Sequence, residues 1–124
     1  MYLTSLLYFG KVNNMSMNKS TIWESQTTQQ LAETLLAIDS PKDMQNFLRD
    51  VMTEKELIEI SSRLEAARML QAGNKYIDIV TKTKLSSRTV ARISDWLQNG
   101  CNGYQVALKT INTHHSHISP ARAD

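Results

Sequence analysis

The sequence predicts an all-α chain of about six helices, and three observations carry that prediction. Its 124 residues include only four Gly and two Pro, so few turns punctuate it and long helices with short connections fit best. Aromatic residues make up 6%, too few for an aromatic-rich all-β domain or for a platform that stacks single-stranded nucleic acid. Apolar residues recur at spacings of three and four, with no alternating pattern of the kind a strand shows. The length suits one domain, and an apolar content of 41% is enough for a modest core.

Helix signals begin near Trp23. Leu31, Leu35 and Ile38, broadened by Ala32 and Leu36, form the first apolar stripe. Ser40-Pro41 stops that helix and opens the next: Ser40 can cap, and Pro41 sits where a missing N–H does no harm. Met44, Phe47, Leu48 and Val51 give the second helix its apolar face. Thr53-Glu54-Lys55-Glu56 matches a capping box, in which the Thr hydroxyl and the Glu carboxylate each satisfy the other's backbone N–H. Leu57, Ile60, Leu64, Ala67 and Leu70 then predict a long helix from Glu54 to Ala72, ended at Gly73 by a left-handed cap. Asn74 is expected to cap a short helix from Lys75 to Lys82. A fifth helix is expected from Ser86 or Ser87 to Asn99, with Val90, Ile93 and Leu97 buried and Gly100 closing it. Asn102-Gly103 allows a turn into a last helix, Tyr104 to Ile111.

Residues 1–20 read as an N-terminal extension that is disordered or mis-assigned, because Met15 and Met17 offer alternative starts to Met1. Residues 21–112 form the expected helical domain, and residues 113–124 the expected disordered tail. No apolar run approaches the roughly 18 residues of a membrane span. Met1 to Phe9 lacks the basic leading region and cleavage site of a signal peptide. The single Cys101 has no internal partner and suits a reducing compartment.

A net charge of +2 says little about partners, but its distribution is uneven. Between Gln29 and Ile60, seven acidic residues face Lys42, Arg49 and Lys55. Between Gly73 and Asn99, Lys75, Lys82, Lys84, Arg88 and Arg92 face only Asp78 and Asp95. A local basic patch is common on DNA-binding modules, and common too on an ordinary solvated surface.

The basic segment, KYIDIVTKTKLSSRTVARIS, has the layout of a helix-turn-helix over residues 75–94. Val80 is the branched residue against which the second helix packs, and Ile79 and Leu85 bridge the two helices. Ser86 or Ser87 caps the second helix, and Val90 and Ile93 bury its inner face. Ser87, Arg88, Ala91 and Arg92 are then left near its exposed front and sides, and Ser86 and Thr89 join them as candidates for DNA contact. Arg88 is the best candidate for a base contact, because a guanidinium can donate two hydrogen bonds to guanine O6 and N7. Ala91 is small enough for the helix to lie deep in the major groove. Lys75, Lys82 and Lys84 are candidates for phosphates, which position a protein without reading sequence. Where the turn commonly carries Gly this chain has Lys84, and a left-handed Lys costs about 1 kcal/mol.

The stretch LIEISSRLEAARMLQAGNKYIDIVTKTKLSSRTVARISDWL resembles the tryptophan-repressor-like proteins, most closely their YerC/YecD branch. SRLEAARML (Ser62–Leu70), AGNKYIDI (Ala72–Ile79) and TVARI (Thr89–Ile93) carry the likeness, supported by LAETLLAIDSPKDMQNFLRDVMTEKEL before them and GYQVALK after. It covers about Gln29 to Ile111. The resemblance implies an intertwined two-fold dimer that sets two reading heads on a palindromic operator, and a transcription regulator, a repressor, of the bacterial cytoplasm.

Tryptophan-responsive members hold their corepressor between the reading helix and the long helix before the Gly. The resemblance places the corresponding effector-pocket residues at Thr53, Arg63, Thr89 and Arg92. Three departures argue against tryptophan here. Ile93 stands where those members have Gly, Trp96 where they have Ser, and Asp50 where they have Leu. The stretch from Gly73 to Thr89 is also one residue shorter. The expectation is a repressor that needs no ligand, or answers a different one.

Other constellations are weaker. His114, His115 and His117 lie in the polar tail with no Cys or carboxylate at ligand spacing. Arg63 and Glu65 on the long helix fit a structural ion pair as well as a ligand contact. Trp96 reads as core or dimer interface. Cys101 has no adjacent base. Without paired carboxylates, a P-loop or GxSxG, no catalytic residue, metal or cofactor is expected. Two alternatives to a sequence-specific regulator remain open at this point: a helical protein-interaction module that no longer binds DNA, and a nonspecific DNA binder.

Overall fold

The computed structural model describes residues 21–117, and the readings made for residues 1–20 and 118–124 lie outside them. Six α-helices follow a single 3-10 turn (Thr21–Glu24): α1 Gln26–Ala37, α2 Pro41–Val51, α3 Glu54–Gln71, α4 Tyr76–Thr83, α5 Ser87–Asn99 and α6 Gly103–His117. No strand occurs among the described residues. The chain divides into two compact units, Met1–Phe47 and Leu48–Asp124.

In the first unit, Trp23 falls in the 3-10 turn and the helix itself starts at Gln26. Ser25 occupies the cap position in extended backbone, but its side chain makes no cap bond. The turn is instead tied to α1 by side chains, with Thr28 Oγ1 donating to the Ile22 carbonyl and Gln29 Nε2 to the Trp23 carbonyl. α2 starts as expected at Pro41, and Ser40 Oγ accepts the Asp43 N–H at 3.3 Å.

In the second unit, the capping box of α3 is complete. Thr53 Oγ1 accepts the Glu56 N–H at 3.2 Å, and Glu56 Oε2 accepts the Thr53 N–H at 2.9 Å. At the far end Gly73, with φ of 85°, donates to the Leu70 carbonyl, while the Asn74 N–H reaches the Met69 carbonyl. This paired closure satisfies carbonyls that the last helical turn would leave open. It also corrects the expected role of Asn74. The cap of α4 is Lys75, whose ammonium has no acceptor to offer the helix and makes no side-chain cap bond, while the Asn74 N–H closes α3.

The core of this unit consists of Ala66, Ala67, Met69, Ile79, Val90, Ile93 and Leu108, flanked by Leu64, Leu70, Val80, Leu85, Leu97 and Tyr104. Each of α4, α5 and α6 packs on α3. The predicted stripe on α3 needs correction. Ile60 is 49% exposed, and the buried positions are Ala66, Ala67 and Met69. The reason is that the short helices cover only the C-terminal half of α3, where small residues let them approach closely. α6 buries Leu108 and leaves Val106 outside. It continues to His117, beyond the Ile111 end expected from its apolar pattern.

Candidate nucleic-acid interface

α4 and α5 form a helix-turn-helix on α3. Ile79, Val90 and Ile93 are fully buried between the helices, and Val80 and Leu85 pack against them. Along α5 the inward positions Val90, Ile93 and Leu97 alternate with an outward face of Ser87, Arg88, Ala91 and Arg92, all exposed. Ser86 is the cap: its Oγ accepts the Thr89 N–H at 3.1 Å and lies 2.9 Å from Thr89 Oγ1. That settles the choice between Ser86 and Ser87, and leaves Thr89 half-buried with its hydroxyl occupied.

The turn is built around Lys84, whose backbone is left-handed, with φ of 60° and ψ of 15°. Its N–H closes α4 on the Val80 carbonyl at 2.9 Å. Thr83, which the sequence reading did not single out, is buried and braces both sides of it. Its Oγ1 donates to the Ile79 carbonyl at 2.7 Å and accepts the Leu85 N–H at 3.3 Å. A Thr in the last turn of a short helix was the available signal, since its hydroxyl can bond back four residues and forward two.

The three candidate lysines differ in their surroundings. Lys75 and Lys84 are exposed, with no ion pair among the described residues. Lys82 Nζ lies 3.0 Å from Glu65 Oε1 on α3. Glu65 also accepts two hydrogen bonds from Arg68, Nε at 2.8 Å and Nη2 at 2.7 Å. These hydrogen bonds, Arg68 first and Lys82 second, hold the Glu65 carboxyl at about 2, well below the usual carboxylate range. Arg63 pairs with Glu59 at 3.2 Å rather than with Glu65.

The four effector-pocket candidates are each engaged locally or exposed. Thr53 caps α3, Arg63 pairs with Glu59 while its Nε is buried without a partner, Thr89 bonds Ser86, and Arg92 faces outward. No hydrogen bond or ion pair links any of the four to another among the described residues. Cavities of about 710, 460 and 220 Å³ flank α3, the first on α6, the second against Lys82 and Thr83, the third between α5 and α6. None of the three is lined by Thr53, Arg63, Thr89 or Arg92. Trp96, 39% exposed, lies at the surface of this chain rather than in its core. Among the described residues no group of three or more His, Cys, Asp or Glu is placed to hold a metal ion, and no helix is long and apolar enough to cross a membrane.

The family model for the Trp repressor protein matches residues 26–112. The chain belongs to the Trp repressor family. It is 34% identical over 82 residues to the uncharacterized protein YerC of Bacillus subtilis, covering 66% of this chain and 79% of that one. A solved TrpR-like protein from Eubacterium eligens superposes with a TM-score of 0.70 at 29% identity, over 75% of this chain and 96% of that one. A protein from Staphylococcus aureus, described as a candidate Trp repressor, gives 0.69 at 25% identity, over 76% and 96%. The resemblance read from the sequence therefore holds for family and fold. Membership makes a helical DNA-binding regulator the coarse description of this chain, and the family is regulatory rather than enzymatic.

Proposed function

We propose that this protein is a dimeric transcriptional repressor of the cytoplasm that reads a palindromic operator through the major groove. The observation that supports this best is the outward face of α5. Arg88, Ala91 and Arg92 stand exposed on a helix whose opposite side, Val90 and Ile93, is locked into the core. A rigid support of this kind holds a side chain accurately enough to distinguish base edges. Arg88 carries the base contact, Ala91 lets the helix enter the groove, and Ser86, Ser87, Thr89 and Arg92 flank it. Lys75, Lys82 and Lys84 surround the turn with positive charge.

The dimer is supported by apolar side chains that this chain alone leaves in water. Ile58 is 58%, Ile60 49% and Val106 58% exposed, large apolar side chains on α3 and α6 that a second copy would cover. A two-fold pair would set the two reading helices on successive turns of the same groove. Tryptophan is not the effector in this reading. Ile93 is wholly buried at the position where the resemblance puts Gly in tryptophan-responsive members.

The test is selection of bound sites from a random duplex library, followed by titration of the selected site with Arg88→Ala. The variant should lose about 1–3 kcal/mol and tolerate changes at one base pair of each half-site. Unchanged affinity would refute the assignment of the reading face. Absence of DNA binding by the parent protein would favour a helical interaction module. Steep salt dependence without sequence preference would favour a nonspecific binder.

A further inference from the structure

The two lysines at the turn, Lys82 and Lys84, look equivalent in sequence but differ in structure. Lys82 is already paired: its Nζ is 3.0 Å from Glu65, a carboxylate that Arg68 fixes with two further hydrogen bonds. Its ammonium keeps donors to spare, but its charge is already offset by that carboxylate before any phosphate approaches. Lys84 has no such partner. It is exposed, and no hydrogen bond or ion pair engages its side chain among the described residues.

Lys84 also occupies a backbone conformation that lysine disfavours. With φ of 60°, its Cβ crowds the following carbonyl, a strain that Gly at the same place would not have. The turn is held there by its N–H on the Val80 carbonyl and by the two bonds of Thr83. None of these uses the lysine side chain. No contact of the Lys84 side chain within the described chain therefore offsets that strain.

We propose that Lys84 is the residue that anchors the turn to the DNA phosphate backbone, that Lys82 is an internal tie holding α4 on α3, and that the strained turn is kept because it carries this cation. The proposal rests on the DNA-binding reading above and assigns separate jobs to residues which that reading treats alike. A side chain rooted in a braced turn presents its charge in a narrow region, two residues before the cap of the reading helix. A paired Lys82 contributes little to the release of counterions from DNA, whereas a free Lys84 contributes fully.

The experiment is fluorescence anisotropy of the full-length protein with a labelled mixed-sequence duplex of about 30 base pairs across a KCl series, since phosphate contacts do not need the operator. Lys84→Gln and Lys84→Gly should each reduce the slope of log K against log [KCl] by about one per protomer, and Lys84→Arg should leave it unchanged. Lys82→Gln should leave the slope as it is. Thermal melts separate the strain from the charge. Lys84→Gly should raise Tm by roughly 4 °C, while Lys84→Gln, which keeps the left-handed side chain, should not. An unchanged slope in Lys84→Gln, or an equal loss in Lys82→Gln, would overturn the assignment. A slope loss without a Tm rise in Lys84→Gly would overturn the claim that strain is retained for the cation. If the parent protein does not bind the duplex, the DNA-binding reading falls as well. If Arg88→Ala weakens binding while Lys84→Gln is silent, only this proposal falls.

Discussion

Truncating Ile93 to Ala tests both the packing of the reading helix and the reason for setting tryptophan aside. Ile93 is fully buried among Ala66, Ala67, Met69, Ile79, Val90 and Leu108. Removing three carbons from such a site costs the lost transfer energy and leaves a cavity, together about 2–5 kcal/mol. The upper half of that range applies here. Two of the neighbours are alanines on α3, whose side chains have no rotamers with which to fill the gap, and the helices around it are held at their ends by caps and closures. A loss near 3.5 kcal/mol corresponds to a fall in Tm of roughly 15 °C for a domain of this size. Urea and thermal unfolding followed by circular dichroism, at one fixed protomer concentration, would measure it. A loss below about 1 kcal/mol would refute the view that Ile93 fills the space under the reading helix. A micromolar heat signal when the parent protein is titrated with L-tryptophan would refute it from the other side.

Two further outcomes follow from the second unit. Thr53→Ala removes the hydroxyl that accepts the Glu56 N–H and should cost about 1 kcal/mol, seen as a Tm lowered by roughly 5 °C. For the pair between α3 and α4, the Glu65 carboxyl is depressed from 4.5 to about 2 by Arg68 and Lys82. A depressed carboxyl stabilises the fold fully above its unfolded value and loses that contribution as pH falls through its folded value. The Glu65→Gln variant should therefore be less stable than the parent at pH 7 by about 1 kcal/mol, the screening expected at a partly exposed site, and the gap should close between pH 4.5 and pH 2. A gap that persists at the acid end, measured by urea unfolding, would show that the ion pair is not its cause.

Local rules made most of the helices legible. The capping box at Thr53, the cap at Ser86, the Pro41 start and the left-handed Gly73 all depend on residues three or four apart, so their chemistry is visible in the chain. The last helix runs beyond the end that its sequence predicts, because its final turns, after Ile111, carry no apolar periodicity to mark them. The α3 stripe departs from its sequence pattern for a different reason. Periodicity identifies a face of a helix but does not say how far along that face other helices lie, so Ile60 looked as buried as Ala67. The structural ion pair expected of Arg63 is present, and its partner is Glu59, four residues away, as Arg68 lies three from Glu65.

The sequence by itself determined that this chain is helical, where its caps lie, which family it resembles and which segment forms the helix-turn-helix. These properties follow from residue type, spacing and the order of short motifs, all of which act over a few residues. Only the tertiary structure decided that Lys82 is paired while Lys84 is not. Lys82 and Glu65 are seventeen positions apart in the chain, and their 3.0 Å approach exists because α4 docks on α3. Nor could spacing reveal that Lys84 accepts the left-handed conformation in place of Gly. That conformation is held by the Lys84 N–H on the Val80 carbonyl and the two bonds of Thr83, between helices whose buried Ile79, Val90 and Ile93 gain more from apolar burial than the roughly 1 kcal/mol of one strained residue.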